Sequence, residues 1–275
     1  MKLEGKTALV TGAASGIGRA TALAFAEAGC RLVVCDLDEA GLRSLEGETG
    51  GKVALSERVD VGDREAMQAF AGRVHERLGS AIDVLVNNAG IGMAGSLWET
   101  PLEAWDKVLR VNLYGVLHGC HFFVPEMVRR GQGGHVVNVS SALGFFGAGG
   151  VNAYVTSKFG VYGMSESLRA ELHPHRIGVS TICPGVIHTN IVQDAPVYGA
   201  EDEAAAQERI RQAFRARAFP PAKVARAIVR GVRRNVAVVT VAPESTSLYW
   251  LKRLSPGLAA WVGRTMENRM GLSPH

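Results

Sequence analysis

Seven short apolar runs rich in β-branched residues recur along the chain, and helix-like segments separate most of them. Strands that are apolar along their whole length are buried on both faces, and strands that alternate with helices form βαβ units. We therefore predict an α/β protein with a doubly wound, seven-stranded parallel sheet and helices on both of its faces. The predicted strands lie at residues 6–12, 31–36, 52–60, 82–90, 134–141, 177–185 and 235–243.

The length of the chain, 275 residues, suits one large α/β domain, which we place at residues 1–245. Within it, Thr100 and Pro101 predict the start of a helix, because threonine is a common N-cap and proline favours the first helical position. Residues 246–275 form a predicted helical tail. Pro256 divides this tail into two helices, since proline cannot continue the first one.

A long segment without a strand-like run, residues 190–219, follows the sixth predicted strand. Segments of this length after a strand's carboxyl end commonly cover a binding site. Ile210 and Phe214 are four residues apart and would share a helix face, with Ala206 and Ala213 beside it. We therefore predict a substrate lid that contains a short amphipathic helix. A fixed segment that is permanently packed as core is the alternative.

Composition excludes several classes of protein. Hydrophobic residues make up 47% of the chain and charged residues 20%, as in folded rather than disordered proteins. The apolar runs are too short to span a membrane, and the first strand starts almost at residue 1, so we expect no signal peptide. Nine of the thirty Lys and Arg residues lie between Arg209 and Arg234. We interpret this cluster as a solvated helix face, with attraction of an acidic substrate, an anionic carrier or a membrane surface as the alternatives. We predict no nucleic-acid partner.

The cysteines and histidines give no metal or disulfide pattern. Two of the histidines, His118 and His121, are three residues apart, but no third ligand matches them, so we predict no metal. The cysteines show no paired spacing, which favours buried free thiols and a cytoplasmic protein. They are Cys30, Cys35, Cys120 and Cys183.

The first predicted strand runs into TGAASGIG, residues 11–18. Gly12 allows a tight turn, Gly16 lets the backbone approach a phosphate, and Gly18 lets the next helix pack closely. The N-terminus of that helix offers free N–H groups to a pyrophosphate. Asp36 ends the second strand, where a carboxylate can bind both hydroxyls of an adenosine ribose and repel a 2′-phosphate. These features predict a dinucleotide site that prefers NAD to NADP, with an ordinary turn acid as the alternative for Asp36.

Tyr154 and Lys158 are four residues apart in NAYVTSKFG, so a helix would present both on one face. Three further motifs follow predicted strands, namely NNAG at 87–90, NVSSALG at 138–144 and PGVIHT at 184–189. Together with the glycine-rich turn and Asp36, this ordered set resembles the short-chain dehydrogenase/reductase family in its single-domain form. The resemblance covers the chain from residue 3 to about residue 243.

The resemblance implies a Rossmann-like fold, NAD as the cofactor, and a homodimer or homotetramer assembled through helices near 101–130 and 152–172. Of two adjacent serines it selects Ser141 over Ser140, because the family's serine lies thirteen residues before the tyrosine. The catalytic residues that it implies are Asn112, Ser141, Tyr154 and Lys158. The cofactor contacts that it implies are Gly12, Ser15, Gly16, Ile17, Gly18, Asp36, Asp60, Val61, Asn88, Ala89, Gly90, Tyr154, Lys158, Pro184, Gly185, Ile187 and Thr189.

Chemistry gives these residues distinct roles. A tyrosine with an ordinary pKa of about 10 is a poor base at neutral pH, so we expect Lys158 and the positive nicotinamide ring to lower the pKa of Tyr154. Ser141 would donate a hydrogen bond to the substrate oxygen, or else would only cap the end of its strand. By resemblance, Asn112 holds a water that links Lys158 to solvent. Asn88 would bind the nicotinamide ribose and Thr189 the carboxamide.

The sequence thus predicts an NAD-dependent oxidoreductase that interconverts a secondary alcohol and a ketone. The alternatives are an NADP-dependent ketoreductase, a relative of epimerase or dehydratase type, and a non-catalytic protein that senses dinucleotides. Apolar residues near the predicted site suggest a bulky hydrophobic substrate, although they are as often core. They are Met93, Leu143, Phe145, Phe146, Val186, Val197 and Tyr198. For the tail we favour packing on protein over contact with a membrane, because Pro256 breaks any single long amphipathic helix.

Overall fold

The computed structural model describes residues 1–189, 191, 193, 195–217 and 219–270. Seven parallel strands of these residues form the main sheet, and every predicted strand is confirmed with equal or shorter bounds. They are β1 (Thr7–Thr11), β2 (Arg31–Asp36), β3 (Val53–Arg58), β4 (Val84–Asn87), β6 (Gly134–Val139), β7 (Ile177–Pro184) and β9 (Val238–Val241). Two shorter strands, β5 (Ala94–Gly95) and β8 (Val197–Tyr198), pair with each other.

Helices occupy most connections between these strands. A π-helical turn at Arg110–Tyr114 leads into α5, and 3₁₀ turns lie at Ala142–Gly144 and His173–His175. The α-helices of the described residues are α1 (Gly16–Glu27), α2 (Glu39–Glu48), α3 (Arg64–Leu78), α4 (Leu102–Leu109), α5 (Gly115–Arg130), α6 (Asn152–Leu172), α7 (Glu203–Arg217), α8 (Pro221–Arg234), α9 (Pro243–Leu254) and α10 (Pro256–Met270). None of them combines the length and hydrophobicity that crossing a membrane requires.

The order of the main sheet is β3-β2-β1-β4-β6-β7-β9, so the strand order reverses between β1 and β4. Side chains alternate across each strand, and on β1 Leu9 joins the core that contains Phe70 and Phe123. Its neighbour Val10 points to the other face of the sheet and joins the core that contains Phe25. Both faces are therefore covered, as in a Rossmann-like fold. Ligands of such sheets bind at the carboxyl ends of the strands beside the reversal point.

The predicted start of α4 is wrong by one residue. The helix begins at Leu102, so Pro101 precedes the first helical position, and the carbonyl of Pro101 accepts the N–H groups of Ala104 and Trp105 at 3.0 and 3.2 Å. The Thr100 hydroxyl donates to the Ser96 carbonyl instead of capping α4. The local pattern indicated a helix start, but the preceding turn recruits the hydroxyl that was expected to cap it.

The predicted lid contains a strand, which the sequence did not predict. Val197 and Tyr198 pair in parallel with β5, and a two-residue strand is too short to leave a period in the sequence. The predicted amphipathic helix is present as α7, where Ala206 is fully buried and Ile210 is partly buried against the same cluster. Residues 190, 192, 194 and 218 of the predicted lid, and the side chain of Ala213, lie outside the described residues.

The C-terminal tail is helical and breaks at Ser255, as Pro256 predicted. Its inner face covers a cluster that contains Phe145, Phe146 and Ala259. A Cβ at Gly263 would lie 2.6 Å from the Gly147 carbonyl, so α10 packs directly on the loop before α6. Residues 271–275 of the predicted tail lie outside the described residues.

Candidate active site

Glycines shape the turn between β1 and α1. Gly12 has a φ of 65°, and a Cβ at this position would lie 2.8 Å from Ala89 Cα. A Cβ at Gly18 would lie 2.5 Å from Asn88 Nδ2. The turn therefore touches the loop after β4 at distances that a side chain would prevent, which explains the need for glycine at both positions.

The N-terminus of α1 differs from those of the two helices that follow. Ser15 precedes α1 without a capping hydrogen bond, and the first turn carries no acidic residue. Carboxylates cap the other two helices, with Asp38 accepting the Gly41 N–H at the start of α2 and Asp63 accepting the Ala66 N–H at the start of α3. The first N–H groups of α1 thus keep an open, positive end of the helix dipole, which fits the pyrophosphate of a dinucleotide.

Asp36 lies at the end of β2 and reaches back to the glycine-rich turn. One carboxylate oxygen accepts the Ala14 N–H at 2.9 Å, and the other accepts the Asp38 N–H at 3.1 Å. The side chain is half-buried, and Ile17 packs nearby on the core. The structure therefore brings the predicted ribose acid next to the predicted phosphate turn.

Asn88 ties the turn after β4 to the glycine-rich turn. Its Nδ2 donates to the carbonyls of Thr11 and Gly12 at 3.0 and 3.1 Å. The Thr11 hydroxyl accepts the N–H groups of Asn88 and Ala89 at 3.0 and 3.1 Å. The Asn88 side chain thus links the turn after β4 to the glycine-rich turn, and its contact with the nicotinamide ribose stays a prediction.

Asp60 and Val61 stabilise the loop that follows β3. Asp60 Oδ1 accepts the Gly62 N–H at 2.8 Å, and its Oδ2 lies 3.3 Å from the Arg110 guanidinium. The Val61 side chain is buried, and a Cβ at Gly115 would lie 2.7 Å from its methyl group. Asp60 thus links this loop to the π-helical turn that carries Asn112.

Asn112 is fully buried at the centre of the π-helical turn. Its Oδ1 accepts the Ile91 N–H at 2.8 Å, and its Nδ2 donates to the Ile91 carbonyl and to Ser157 Oγ at 3.0 and 3.2 Å. A Cβ at Gly90 would lie 3.1 Å from Asn112 Oδ1 and 3.4 Å from Lys158 Nζ. Asn112 therefore joins the turn after β4 to α6 beside Lys158, and its predicted role in holding a water stays a prediction.

Two adjacent serines at the end of β6 have different partners. Ser140 donates to the Lys158 carbonyl at 2.8 Å. Ser141 accepts the Leu143 N–H at 3.1 Å, which caps the 3₁₀ turn, and its hydroxyl lies close enough to Tyr154 to act against the rise in that tyrosine's pKa. The geometry brings Ser141, and not Ser140, to the tyrosine. The capping role and the contact with Tyr154 therefore coexist.

The segment after β7 crosses toward the glycine-rich turn. Pro184 ends the strand, the Gly185 N–H donates to the last residue of β9 at 2.9 Å, and Ile187 is buried. The methyl group of Thr189 would lie 3.3 Å from a Cβ at Gly16. The structure thus brings PGVIHT beside the N-terminus of α1, so all the predicted motifs meet at one edge of the sheet.

The family model of the short chain dehydrogenases matches residues 6–197. The chain belongs to the short-chain dehydrogenase/reductase family. It is 46% identical over 253 residues to the probable oxidoreductase EphD of Mycobacterium tuberculosis, where the match covers 90% of this chain and 43% of EphD. The chain therefore spans less than half the length of that relative. The putative oxidoreductase SadH of the same species is 36% identical, with 91% of each chain covered.

Among solved structures, a short-chain dehydrogenase/reductase from Burkholderia phymatum in complex with NAD is similar to this chain. The TM-score is 0.86 at 28% identity, and the match covers 94% of this chain and 96% of that one. The likeness extends through most of the sheet and its helices, so it supports the Rossmann-like architecture described above.

In this short-chain dehydrogenase/reductase, burial shifts the pKa values of both Tyr154 and Lys158. Burial lowers the pKa of Lys158 to about 8. Its ammonium donates to the Val139 carbonyl at 3.2 Å and lies 5.6 Å from the Tyr154 ring centroid. Burial also raises the pKa of Tyr154, and the Ser141 hydroxyl opposes that shift. In the coenzyme-free protein, desolvation of the phenolate is thus the larger of these two effects on Tyr154. The expected lowering requires the nicotinamide ring as well as Lys158 and stays a prediction for the complex.

Several apolar residues expected to line the pocket are core residues in the structure. Phe145 and Phe146 are buried under the tail, Met93 packs with Ala153, and Val197 packs against α7. Leu143, Val186 and Tyr198 are only partly buried.

Sequence reasoning missed two contributors from α9. Glu244 accepts the Val186 N–H at 2.9 Å, and Ser245 donates to the Cys183 carbonyl at 2.6 Å. A glutamate after a proline at a helix start is a familiar local pattern. Nothing in that pattern reveals a contact 58 residues away along the chain.

Within the described residues no group of three or more His, Cys, Asp and Glu side chains could hold a metal ion. Of the two histidines that are three residues apart, the buried His118 contacts the Val61 carbonyl through Nδ1 at 2.9 Å. His121 packs edge-on against Phe122.

Proposed function

We propose that this chain is an NAD-dependent oxidoreductase that interconverts a secondary alcohol and a ketone on a bulky hydrophobic substrate. The observation that carries the proposal is the meeting of the Ser141 and Tyr154 hydroxyls beside the buried Lys158. This group lies at the carboxyl ends of the strands, where PGVIHT adjoins the uncapped N-terminus of α1. A purely structural site has no chemical need for a phenol between a hydroxyl and an ammonium.

Tyr154, Ser141 and Lys158 have different roles in the proposed reaction. When bound, the nicotinamide dinucleotide supplies the hydride acceptor for oxidation or the hydride donor for reduction. Tyr154 accepts the proton of the substrate hydroxyl during oxidation and returns it to the carbonyl oxygen during reduction. Ser141 donates a hydrogen bond to the same oxygen and stabilises charge that develops there. The Lys158 ammonium binds the ribose hydroxyls near the nicotinamide and favours the phenolate form of Tyr154.

The preference for NAD rests on Asp36. Its carboxylate would repel the 2′-phosphate of NADP, and it is half-buried beside the phosphate turn. Arg19 also reaches this turn, where it donates to the Ala14 carbonyl at 3.5 Å. It donates to the Gly41 carbonyl of α2 at 3.1 Å as well, and its guanidinium is paired with Glu48 at 2.7 Å. A paired cation offers less attraction to a 2′-phosphate than a free one does, which supports NAD further.

The proposal also covers the cellular compartment, the oligomeric state and the domain organisation of the enzyme. Free, buried cysteines support a reducing compartment such as the cytoplasm. Exposed aromatic and aliphatic side chains on the helices near 101–130 and 152–172 support a homodimer or homotetramer. The domain of residues 1–245 would carry coenzyme and catalysis, with residues 190–219 as its lid.

The test is a coenzyme-monitored screen with NAD⁺ and NADP⁺ against steroid, aryl, aliphatic and acyl-thioester alcohols. We expect a higher kcat/KM with NAD⁺ than with NADP⁺ and a smaller difference in Asp36→Ala, because that change removes the charge that faces the 2′ position. A wild-type preference for NADP⁺ would contradict our interpretation of Asp36. Tight dinucleotide binding without turnover of any substrate would favour a non-catalytic sensor instead.

A further inference from the structure

The start of α9 is bonded to the segment that follows β7. Glu244 Oε1 accepts the Val186 N–H at 2.9 Å, and the Ser245 hydroxyl donates to the Cys183 carbonyl at 2.6 Å. Ser245 is fully buried. The two bonds lie on either side of Pro184 and Gly185, so α9 holds the first half of PGVIHT from outside the sheet.

Gly185 shows how close this contact is. A Cβ at Gly185 would lie 2.7 Å from the carboxyl carbon of Glu244 and 2.9 Å from its Cγ. The φ of Gly185 is not in the left-handed region, so its backbone does not itself require glycine. The Glu244 side chain occupies the space that a Cβ at residue 185 would need.

The backbone before α9 is strained. Ala242 has a φ of 83° and a ψ of 147°, a conformation that is unfavourable for a residue with a Cβ. It lies between the last residue of β9, whose carbonyl accepts the Gly185 N–H, and Pro243. Such strain persists where surrounding contacts enforce it, and the bonds from Glu244 and Ser245 to the segment around Pro184 and Gly185 begin directly after Pro243.

We propose that Glu244 is a positioning residue for the coenzyme, which sets the backbone of residues 185–189 at the nicotinamide end of the site. The inference rests on the proposed function, because it requires that Ile187 and Thr189 contact the nicotinamide. With its N–H held by Glu244, Val186 fixes the direction in which the next residues leave β7. The carboxylate acts through this backbone and touches no reacting atom.

A simpler explanation is that Glu244 only stabilises α9, since an acidic residue in the first turn of a helix interacts favourably with the helix dipole. The two explanations differ in what they predict. Loss of helix stabilisation would lower the melting temperature and leave coenzyme affinity unchanged in protein that remains folded. Loss of positioning would weaken coenzyme binding in folded protein.

The experiment measures the Kd of NADH by fluorescence titration, well below the melting temperature of each variant. Wild type is compared with Glu244→Ala, with Glu244→Gln, and with Glu76→Ala as the control at an exposed glutamate on α3. We expect Glu244→Ala to raise the Kd about tenfold, the worth of one lost hydrogen bond to a charged group. Glu244→Gln keeps an oxygen acceptor for the Val186 N–H and should restore most of the affinity.

A double-mutant cycle makes the test independent of any single variant. Gly185→Ala should weaken NADH binding in the wild-type background, because the new Cβ displaces the glutamate. In the Glu244→Ala background the same change should cost much less, because the side chain that it meets is gone. In turnover assays the KM for coenzyme should rise more than kcat falls.

The outcomes separate this inference from the proposed function. If wild type binds no NADH, the proposed function itself fails. If wild type binds NADH, and folded Glu244→Ala binds it within twofold of wild type, positioning by Glu244 is overturned while the proposed function stands. Equal losses in Glu244→Ala and Glu244→Gln would overturn the hydrogen bond to Val186 as the cause.

Discussion

At the residue scale, the catalytic tyrosine of the proposal lies in an environment that disfavours its ionised form. Burial raises the pKa of Tyr154 and lowers that of Lys158 to about 8. In the coenzyme-free protein the lysine is therefore partly neutral in mildly alkaline solution, and the phenol keeps its proton. A positive nicotinamide ring nearby would add the charge that favours the phenolate. We thus expect coenzyme binding to activate the tyrosine.

Tyr154→Phe tests the role of this hydroxyl. The change removes the proton donor and keeps the ring, so we expect kcat to fall about 10²- to 10⁴-fold while NADH binding stays nearly intact. Steady-state kinetics and an NADH titration on the same preparation provide both measurements. Tyr162→Phe is the control, because Tyr162 is a tyrosine of the same helix that packs against Phe145 under the tail. A Tyr154→Phe enzyme with most of the wild-type kcat would refute the assignment.

At the element scale, a buried histidine joins β6 to β7. His135 is almost fully buried, and its Nε2 lies 2.8 Å from Ser180 Oγ on the neighbouring strand. Burial is the main cause that lowers its pKa to about 3, and the charges of Arg169 and the N-terminus add to the effect. In the unfolded chain the same side chain has an ordinary pKa near 6.5. Below that pH the unfolded state therefore binds more protons than the folded state.

The sign of this difference predicts acid sensitivity. Between about pH 3 and 6.5 the free energy of unfolding should rise with pH because of this group, and its full contribution is present above pH 6.5. At pH 5 the loss should be about 2 kcal/mol relative to neutral pH. His135→Gln does not titrate, so urea unfolding of this variant should show a smaller change between pH 5 and 7.5. The exposed His175→Gln is the control, and identical pH slopes in wild type and His135→Gln would contradict the prediction.

The second prediction at this scale concerns α7. Asp202 caps its N-terminus by accepting the Ala205 N–H at 2.9 Å, and Ala206 is its fully buried contact with β8. The first turn is thus attached to the small β5–β8 sheet, while Ile210 is only partly buried. We therefore predict that the part of α7 beyond Ala206 closes over the substrate and excludes water from the hydride path.

Hydrogen exchange tests this prediction on the free enzyme and on a ternary complex with NADH and a slow substrate analogue. Protection of residues 207–215 should rise in the complex, whereas α8, which packs on the core through Val224 and Ile228, should not change. Protection in α7 that is already high and does not respond to ligands would show that the segment is permanently packed.

At the scale of the whole molecule, two groups of exposed apolar side chains are candidates for an interface between copies of the chain. Tyr114, Leu117 and Phe159 lie on the face formed by the π-helical turn, α5 and α6, and they are 39–47% exposed. The tail exposes Trp250, Leu254, Leu258 and Trp261, which are 49–79% exposed. We expect the first surface to form the homo-oligomer interface implied by the family resemblance, and the tail to pack on protein.

A pair of matched charge substitutions tests the choice between the two surfaces. Leu117→Glu should shift the protein toward a monomer in size-exclusion chromatography with light scattering, because an interface core does not tolerate an unpaired charge. Leu254→Glu places the same charge on the tail and should leave the oligomeric state unchanged. The reverse result would place the interface on the tail, and a wild-type monomer would contradict the proposed assembly.

Local sequence patterns were sufficient to predict much of the fold of this protein. Runs of β-branched residues predicted the strands because the central strands are buried on both faces, and the spacing typical of the family selected Ser141 over Ser140. A residue with more than one available partner was predicted less well. Thr100 bonds Ser96 instead of capping α4. A competing acceptor decides this contact, and the position of that acceptor depends on the folded backbone.

The sequence by itself determined the sheet, the phosphate turn and the order of the motifs, because these depend on periodicity and on residues that are close in the chain. The tertiary structure alone decided how Glu244 meets Val186, how β8 joins β5, and which apolar residues are core. It also decided the direction of the Tyr154 pKa shift, since desolvation depends on everything packed around a group. Contacts between distant segments leave no local period, so only the folded chain reveals them.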